Sequence, residues 1–269
     1  MVASTYFIRI CFNSTQNKIE FIENHIPAIK DGHYSVTLEQ TVTGAGISEE
    51  NTFSSATYHF SILGPRFTLS PDDIHAFFPP AGSLGEHSNT FPHIVFNRST
   101  LPWERNVGND TQAPWLALLL FDEQEAPKSI EQASDSPNKL SIITYKQLKA
   151  SVQDGIKVTS LKEENTNKKD LDHDDDKITV IDVQWKTLKP ILPSLEELKW
   201  LAHIRKATDA AGNLIEEERA VIFGNRLPKP GSQSTVHLVS LESFYANQED
   251  SYKNDDLIRL VSLKSWRFA

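Results

Sequence analysis

Cysteine is almost absent from this chain: Cys11 is the single one, so no disulfide can form within the chain. It lies in the apolar run YFIRICF, where a buried structural thiol is favoured over a reactive one. The amino-terminal stretch MVASTYFIRICFNST lacks the basic start, continuous apolar segment and small-residue cleavage site of a signal peptide. We therefore predict cytoplasmic synthesis without a signal peptide and, if the protein leaves the cell, release as part of an assembly.

Long apolar runs and basic clusters are also missing. The longest apolar run, PWLALLLF, falls well short of the roughly 20 residues that a membrane-spanning helix needs. The chain has 36 acidic and 27 basic residues, and no Lys/Arg cluster offsets its net charge of -9. Neither a membrane span nor binding to nucleic acid through phosphate neutralisation is expected.

Motifs that carry enzyme chemistry are not found. The sequence has no phosphate-binding loop, no Gly-x-Gly-x-x-Gly and no kinase signature. In AGSLG, Gly82 directly precedes Ser83, one position too close for a nucleophile elbow. The acidic run LDHDDDK lacks the glycine and the distant bidentate acid of a looped calcium site, which favours a solvated run. We predict no catalytic residue, no cofactor and no metal site.

What the chain does contain is a succession of short segments rich in β-branched and aromatic residues. In HYSVTLEQTV, Tyr34, Val36, Leu38 and Gln40 share one face of a strand and Ser35, Thr37 and Glu39 the other. WLALLLFDE is apolar on both faces, which predicts a central strand covered on two sides rather than a surface strand. These patterns predict a mainly β (α+β) fold of antiparallel or mixed sheets, a β-sandwich or barrel-like, with a few short helices.

Three helices and two domains are predicted. The helices are LSPDDIHAFFPP, TYKQLKAS with Thr144 as its cap, and PSLEELKWLAHIRKAT, where Ser194 and Glu197 form a capping box. The predicted domains are an N-terminal β-sandwich-like domain over residues 1–69 and a larger β-rich domain over residues 70–269. The larger domain carries inserted helices and a charged loop at 160–177.

Two repetitions run through the second half. VHLVSLESF and IRLVSLKSW share Leu-Val-Ser-Leu, and both read as interior strands because both of their faces are mostly apolar. Their connector permits either a parallel or an antiparallel pairing. The last strand needs a neighbour, either an earlier strand or another chain. IVFNRSTLP and VIFGNRLP also resemble each other, and each of them precedes an apolar strand that carries an acidic residue. This similarity has two explanations: one strand–turn–strand unit is used twice, or the resemblance arose by chance.

The motif LPWERN has two interpretations. It is either a binding loop with Trp103 as an aromatic anchor, or a tryptophan that plugs the end of the core under an Arg–Glu pair. The candidate interaction residues of the whole chain are Trp103, Glu104, Arg105, Arg259, Trp266 and Phe268.

Five motifs together resemble an uncharacterised bacterial protein family: TLPWER, PWLALLLFDE, GNRLPKPG, VHLVSLES and RLVSLKSW. The resemblance extends from Ile19 to Trp266 without the charged loop. It implies an association with gene clusters of phage-tail-like contractile injection systems, and it supplies no catalytic residues.

The predicted function is a non-catalytic structural or assembly component that self-associates or docks a partner through β edges and apolar surface. The expected partner is a second copy or a larger protein assembly. One alternative is a glycan or cell-surface binding module that uses TLPWERN. The other is a metal-dependent hydrolase, although the spacing of its candidate ligands His75, His87 and His93 matches no zinc pattern.

Overall fold

The computed structural model describes residues 17–22, 32–39, 56–62, 66–108, 110, 112–129, 136–151, 156–158, 173–246 and 252–269. Within these ranges the chain is mainly β, with a few short helices, as predicted. The predicted strand TYFIRICF and most of the predicted charged loop lie outside the described residues. No helix in the described ranges is long and apolar enough to cross a membrane.

Fourteen strands and three short α-helices follow one another along the described parts of the chain. The strands are β1 (Asn17–Ile22), β2 (Gly32–Leu38), β3 (Ala56–Ile62), β4 (Ile74–Phe78), β5 (His93–Phe96), β6 (Leu116–Asp122), β7 (Lys128–Ser129), β8 (Lys139–Thr144), β9 (Lys157–Val158), β10 (Lys177–Gln184), β11 (Ala202–Asp209), β12 (Arg219–Phe223), β13 (Ser234–Ser240) and β14 (Leu257–Phe268). The helices are α1 (Tyr145–Ala150), α2 (Trp185–Leu188) and α3 (Leu195–Leu201), with 3-10 turns at Pro71–Asp73, Leu101–Trp103 and Phe244–Ala246.

The chain divides into two compact units, Ala28–Gly64 and Met1–Pro27 with Pro65–Ala269. This division does not coincide with the predicted boundary between residues 69 and 70. The reason is β1, which pairs antiparallel with β11 and so belongs to the larger unit.

The larger unit contains two sheets, counted over the described residues. The five-stranded sheet has the order β1-β11-β12-β5-β4. The seven-stranded sheet has the order β6-β13-β14-β10-β8-β7, with β9 paired to β14. Both strand orders are open, so no closed barrel forms among the described strands, and the sandwich alternative is the one observed.

A hydrophobic core joins the inner faces of these two sheets. One sheet contributes residues such as Ile94 and Ile222, the other residues such as Leu118 and Val236, and Trp103 and Trp115 lie in the same cluster. Alternate residues of a strand face opposite sides. The other side of β6 therefore carries Leu119, which belongs to a second core.

That second core covers the outer face of the seven-stranded sheet. Leu188 of α2 and Leu198 of α3 pack there beside Phe121 and Val239. Every residue of β6 is buried, which confirms that WLALLLFDE is a strand covered on both faces. The predicted central position is wrong, however, because β6 lies at the end of its sheet in the strand order.

The repeated segments pair with each other. In the five-stranded sheet β5 is the antiparallel neighbour of β12, and in the other sheet β6 is the antiparallel neighbour of β13. Each copy of the strand–turn–strand unit thus gives one strand to each sheet. The twin segments of β13 and β14 are also antiparallel neighbours, with Val236 opposite Trp266. Because β14 lies between β13 and β10, earlier strands of the same chain cover the last strand.

Two of the predicted helices are wrong over part of their length. LSPDDIHAFFPP forms a 3-10 turn capped by Ser70 and then strand β4, which pairs with β5. The helix starting at Ser194 has its predicted capping box but ends at Leu201. The residues that follow form β11, where Ala202 and Ile204 are buried between β1 and β12.

Candidate functional site

Trp103, the predicted aromatic anchor, lies inside the protein. Its side chain is 1% exposed, and its indole N–H donates to the carbonyl oxygen of Gln112 over 3.0 Å. Glu104, half-buried, accepts a hydrogen bond from the Thr100 hydroxyl (2.6 Å) and forms an ion pair with Arg98, whose Nε lies 3.1 Å from its carboxylate. The geometry therefore matches the second interpretation of LPWERN, a tryptophan that fills the end of the core.

Arg105 pairs with a different acid from the neighbouring Glu104. Its Nη1 donates to Oε1 of Glu242 over 3.1 Å, while Nε of Arg66 donates to Oε2 of the same carboxylate, also over 3.1 Å. All three residues are buried. The two guanidinium groups also stand 5.0 Å and 5.8 Å from the ring centres of Phe67 and Trp115. This cluster is a buried ion network that ties the LPWERN loop to the turn after β13.

The remaining predicted interaction residues also make contacts within the chain. Nε and Nη2 of Arg259 donate to the two carboxylate oxygens of Asp182, each over 2.6 Å. Trp266 is buried 4.9 Å from Phe77, and Phe268 is buried against His87, measured between ring centres. None of the six predicted residues forms an exposed patch with the others among the described residues.

A second ion cluster was not anticipated from the sequence. It joins Asp122, in PWLALLLFDE, and the nearby Glu125 to two basic residues of GNRLPKPG. Nη2 of Arg226 donates to Asp122 and its Nη1 to Glu125, each over 2.5 Å, and Lys229 also pairs with Asp122. Because the carboxylates already bind these cations, the cluster fastens the loop after β12 to the end of β6.

Two histidine–serine pairs provide no activated nucleophile. The Ser83 hydroxyl donates its single proton to the carbonyl oxygen of Pro80 (2.8 Å), so the contact with His87 Nε2 (3.3 Å) uses a proton of the ring. His237 Nδ1 lies 2.9 Å from the Ser262 hydroxyl, but both residues are buried. Burial, with the charge of Arg267 as a smaller cause, lowers the pKa of His237 to about 3.

The predicted metal ligands do not form a cluster. Within the part of the chain that the structure describes, no group of three or more His, Cys, Asp or Glu side chains is placed to hold a metal ion. Both His87 and His93 instead contact Phe78, His87 edge to face and His93 stacked, with ring centres 5.7 Å and 5.5 Å away.

These two histidines belong to a row of alternating Phe and His rings. From His93 the row continues through Phe223 and His203 to Phe21, with centre-to-centre distances of 5.4 to 6.4 Å. The strand registers place it on the outer face of the five-stranded sheet. Burial lowers the pKa of His203, so a neutral imidazole is favoured there. Each ring of this row is half-buried by its neighbours.

Four exposed large apolar side chains lie together in the smaller unit. Strands β2 and β3 pair antiparallel, with Tyr34 opposite Phe60, Val36 opposite Tyr58 and Leu38 opposite Ala56. Directly paired residues share a face, so these six side chains form one side of a two-stranded ribbon. We call this side the apolar ribbon face. Its exposed fractions reach 47% for Val36, 57% for Leu38, 61% for Tyr58 and 40% for Phe60.

The opposite side of the ribbon is polar. It carries Ser35, Thr37, Thr57, His59 and Ser61, and the hydroxyls of Thr37 and Thr57 are 3.1 Å apart across the strands. The alternation in HYSVTLEQTV predicted this amphipathic strand. It did not predict that the apolar side would be exposed, because alternation does not reveal what covers a face.

No family model matches this sequence, and no curated protein or solved structure was found to be similar to it. The candidate functional site is therefore the apolar ribbon face, chosen by its geometry and chemistry. The resemblance to an uncharacterised bacterial family stays a prediction.

Proposed function

We propose that the protein is a non-catalytic structural or assembly component that associates with copies of itself or docks a protein partner. Contact occurs through apolar surface and open strand edges. The observation that carries this proposal is the apolar ribbon face, which is exposed and belongs to a compact unit of its own.

Energetics support contact at this face. An isolated two-stranded ribbon is at best marginally stable in water, because it has no core to offset the entropy of ordering its strands. Covering apolar surface contributes about 25 cal/mol per Å². Contiguous exposed apolar side chains mark interaction sites in soluble proteins. A partner over Val36, Leu38, Tyr58 and Phe60 would therefore stabilise the ribbon as well as the complex.

The edges of the ribbon lead to the same proposal. Natural proteins protect exposed strand edges with charged residues, because an open edge invites pairing with another chain. The strands GHYSVTL and ATYHFSI contain no Asp, Glu, Lys or Arg, although 23% of the whole chain is charged. The ribbon thus lacks the usual protection against association, which fits addition of a strand or a sheet face from a partner.

The alternatives have less support. A glycan site built on TLPWERN needs an accessible Trp103, and this side chain is buried. A hydrolase needs a nucleophile or a metal-bound water in an open cleft. The serine–histidine contacts and the ring contacts of His87 and His93 do not supply either of them. We therefore keep the assembly role as the single proposed function.

Substituting one residue on each side of the ribbon tests this function. Tyr58→Glu places a charge on the apolar face, and Thr57→Glu places the same charge next to it on the polar face. We expect the wild-type chain to scatter light as a particle heavier than its 30.3 kDa, or to be purified with a stoichiometric protein partner. Tyr58→Glu should weaken this association at least tenfold, and Thr57→Glu should change it little.

Far-UV circular dichroism of both variants checks that the fold is retained. A wild-type chain that stays a single 30.3 kDa particle without a bound partner would contradict the proposed function. So would equal association by the two variants.

A further inference from the structure

We infer that the apolar ribbon face is covered by the same face of a second copy of this chain, packed about a two-fold axis. This inference rests on the proposed function and names the partner of the same surface.

Charge is the first reason. The chain as a whole has a net charge of -9, so a surface built to recruit a basic partner would be expected to carry part of that charge. The apolar ribbon face carries none. Its partner must therefore present an uncharged apolar surface of similar size, because a charge buried there would lose its hydration without gaining a counter-ion. A second copy supplies such a surface.

The shape of the face is the second reason. It tapers along the strands: the Tyr34–Phe60 pair forms a bulky end, where the two rings stack 5.7 Å apart at 24°. The Leu38–Ala56 pair forms a smaller end, and Val36 and Tyr58 lie between the two. Two tapered faces fit together when one of them is reversed end to end, so that each bulky pair covers the small pair of the other copy.

A two-fold axis produces this reversal. Let the two-fold axis lie in the plane between the two faces and run perpendicular to the strands. A rotation of the chain by 180° about this axis then generates the second copy, whose ribbon faces the first and whose strands run in the opposite direction. Val36 and Tyr58 then lie nearest the axis and meet their own equivalents, as in any isologous interface. The ribbons would stack as a small four-stranded sandwich with about 10 Å between the two backbones.

Chemical crosslinking tests this arrangement on the full-length chain. In a Cys11→Ser background, which removes the single native cysteine, Val36→Cys is treated with a bismaleimide whose spacer is about 10 Å long. We expect a covalent dimer of roughly twice the chain mass, because the two thiols face each other across the interface. Thr37→Cys, the neighbour on the polar face, is the matched control and should give at least tenfold less dimer.

The end-to-end reversal has its own test. Chains with Tyr34→Cys and chains with Leu38→Cys, differently tagged and mixed, should crosslink to each other faster than either crosslinks to itself. Preferred Tyr34–Tyr34 crosslinks would overturn the axis that we infer.

Three outcomes would overturn the inferred interface between two copies. If the wild-type chain self-associates but Val36→Cys forms no more dimer than Thr37→Cys, the proposed function stands and the inferred interface is wrong. If the chain is found in a stoichiometric complex with another protein that Tyr58→Glu releases, the function again stands without the second copy. Binding of monomers to vesicles of phosphatidylcholine and phosphatidylglycerol, lost in Tyr58→Glu, would contradict both the interface and the protein–protein role.

Discussion

At the scale of single residues, charged side chains in the interior hold the loops of this protein in place. Glu242 accepts from two buried guanidinium groups, and Asp182 makes a bidentate pair with Arg259. Each of these contacts joins residues far apart in the sequence. Side chains that a sequence suggests as interaction residues can therefore be the ones that close the core.

We expect Glu242→Gln to destabilise the fold strongly. The substitution keeps the shape of the side chain but removes the negative charge between Arg66 and Arg105. Loss of one partner of a buried ion pair costs about 3 to 5 kcal/mol, because the remaining charge stays desolvated. Denaturant unfolding of wild type and variant measures the change in free energy of unfolding.

Glu196→Gln is the control for this measurement. Glu196 pairs with Lys199 on an exposed helix surface, where an ion pair contributes about 0 to 1 kcal/mol. If Glu242→Gln lowered the free energy of unfolding no more than Glu196→Gln does, the prediction that the Glu242 cluster stabilises the fold would be wrong.

His237 should make the stability of the fold depend on pH. Its pKa is lowered to about 3 in the folded chain, against an ordinary value near 6.5. Between these values the unfolded chain binds a proton that the folded chain does not bind. The free energy of unfolding is therefore highest above about pH 6.5. As the pH falls from about 6.5 toward about 3, protonation of His237 in the unfolded chain should lower the free energy of unfolding by about 1.4 kcal/mol per pH unit.

His237→Gln removes this proton while keeping a polar group near Ser262. Unfolding curves at several values from about pH 4 to about pH 7 should show a shallower pH dependence for this variant than for wild type. Parallel slopes for wild type and His237→Gln would contradict the prediction.

At the scale of elements, the sequence was most informative where local chemistry determines the structure. The capping boxes at Thr144 and Ser194 start α1 and α3 where they were predicted. The sequence was least informative at the end of α3. Leu198 and Leu201 continue to Ile204 at helical spacing, but Ala202 and Ile204 also alternate as a strand does. Pairing of β11 with both β1 and β12 decides the outcome, and such long-range contacts are not visible in a local pattern.

Strand β14 gives the prediction that belongs to this scale. Removing Leu257–Ala269 takes away the strand between β13 and β10, together with the buried rings of Trp266 and Phe268. We expect the truncated chain to lose its native circular dichroism and its cooperative thermal transition. Arg267→Ala, an exposed position of the same strand, is the control and should keep both. A truncated chain that unfolds cooperatively would contradict this expectation.

At the scale of the whole molecule, the repeated motifs explain much of the architecture. The two similar strand–turn–strand segments pair with each other in both sheets, and the twin segments of β13 and β14 add a further antiparallel pair. The repetition was visible in the sequence, but its antiparallel arrangement was not, because the connectors allowed either direction. The mainly β class followed from short segments that are rich in β-branched and aromatic residues, some of them alternating and one apolar on both faces. The exposed ribbon could not be predicted, because exposure depends on the placement of all other elements.

The absence of charge from the ribbon strands determines how association through this face should depend on ionic strength. Added salt screens attraction between opposite charges, and the apolar ribbon face offers none to screen. The same salt screens the mutual repulsion of chains that each carry a net charge of -9. Contact through this face should therefore persist or tighten in concentrated salt, and sulfate, which strengthens apolar contact, should favour it most.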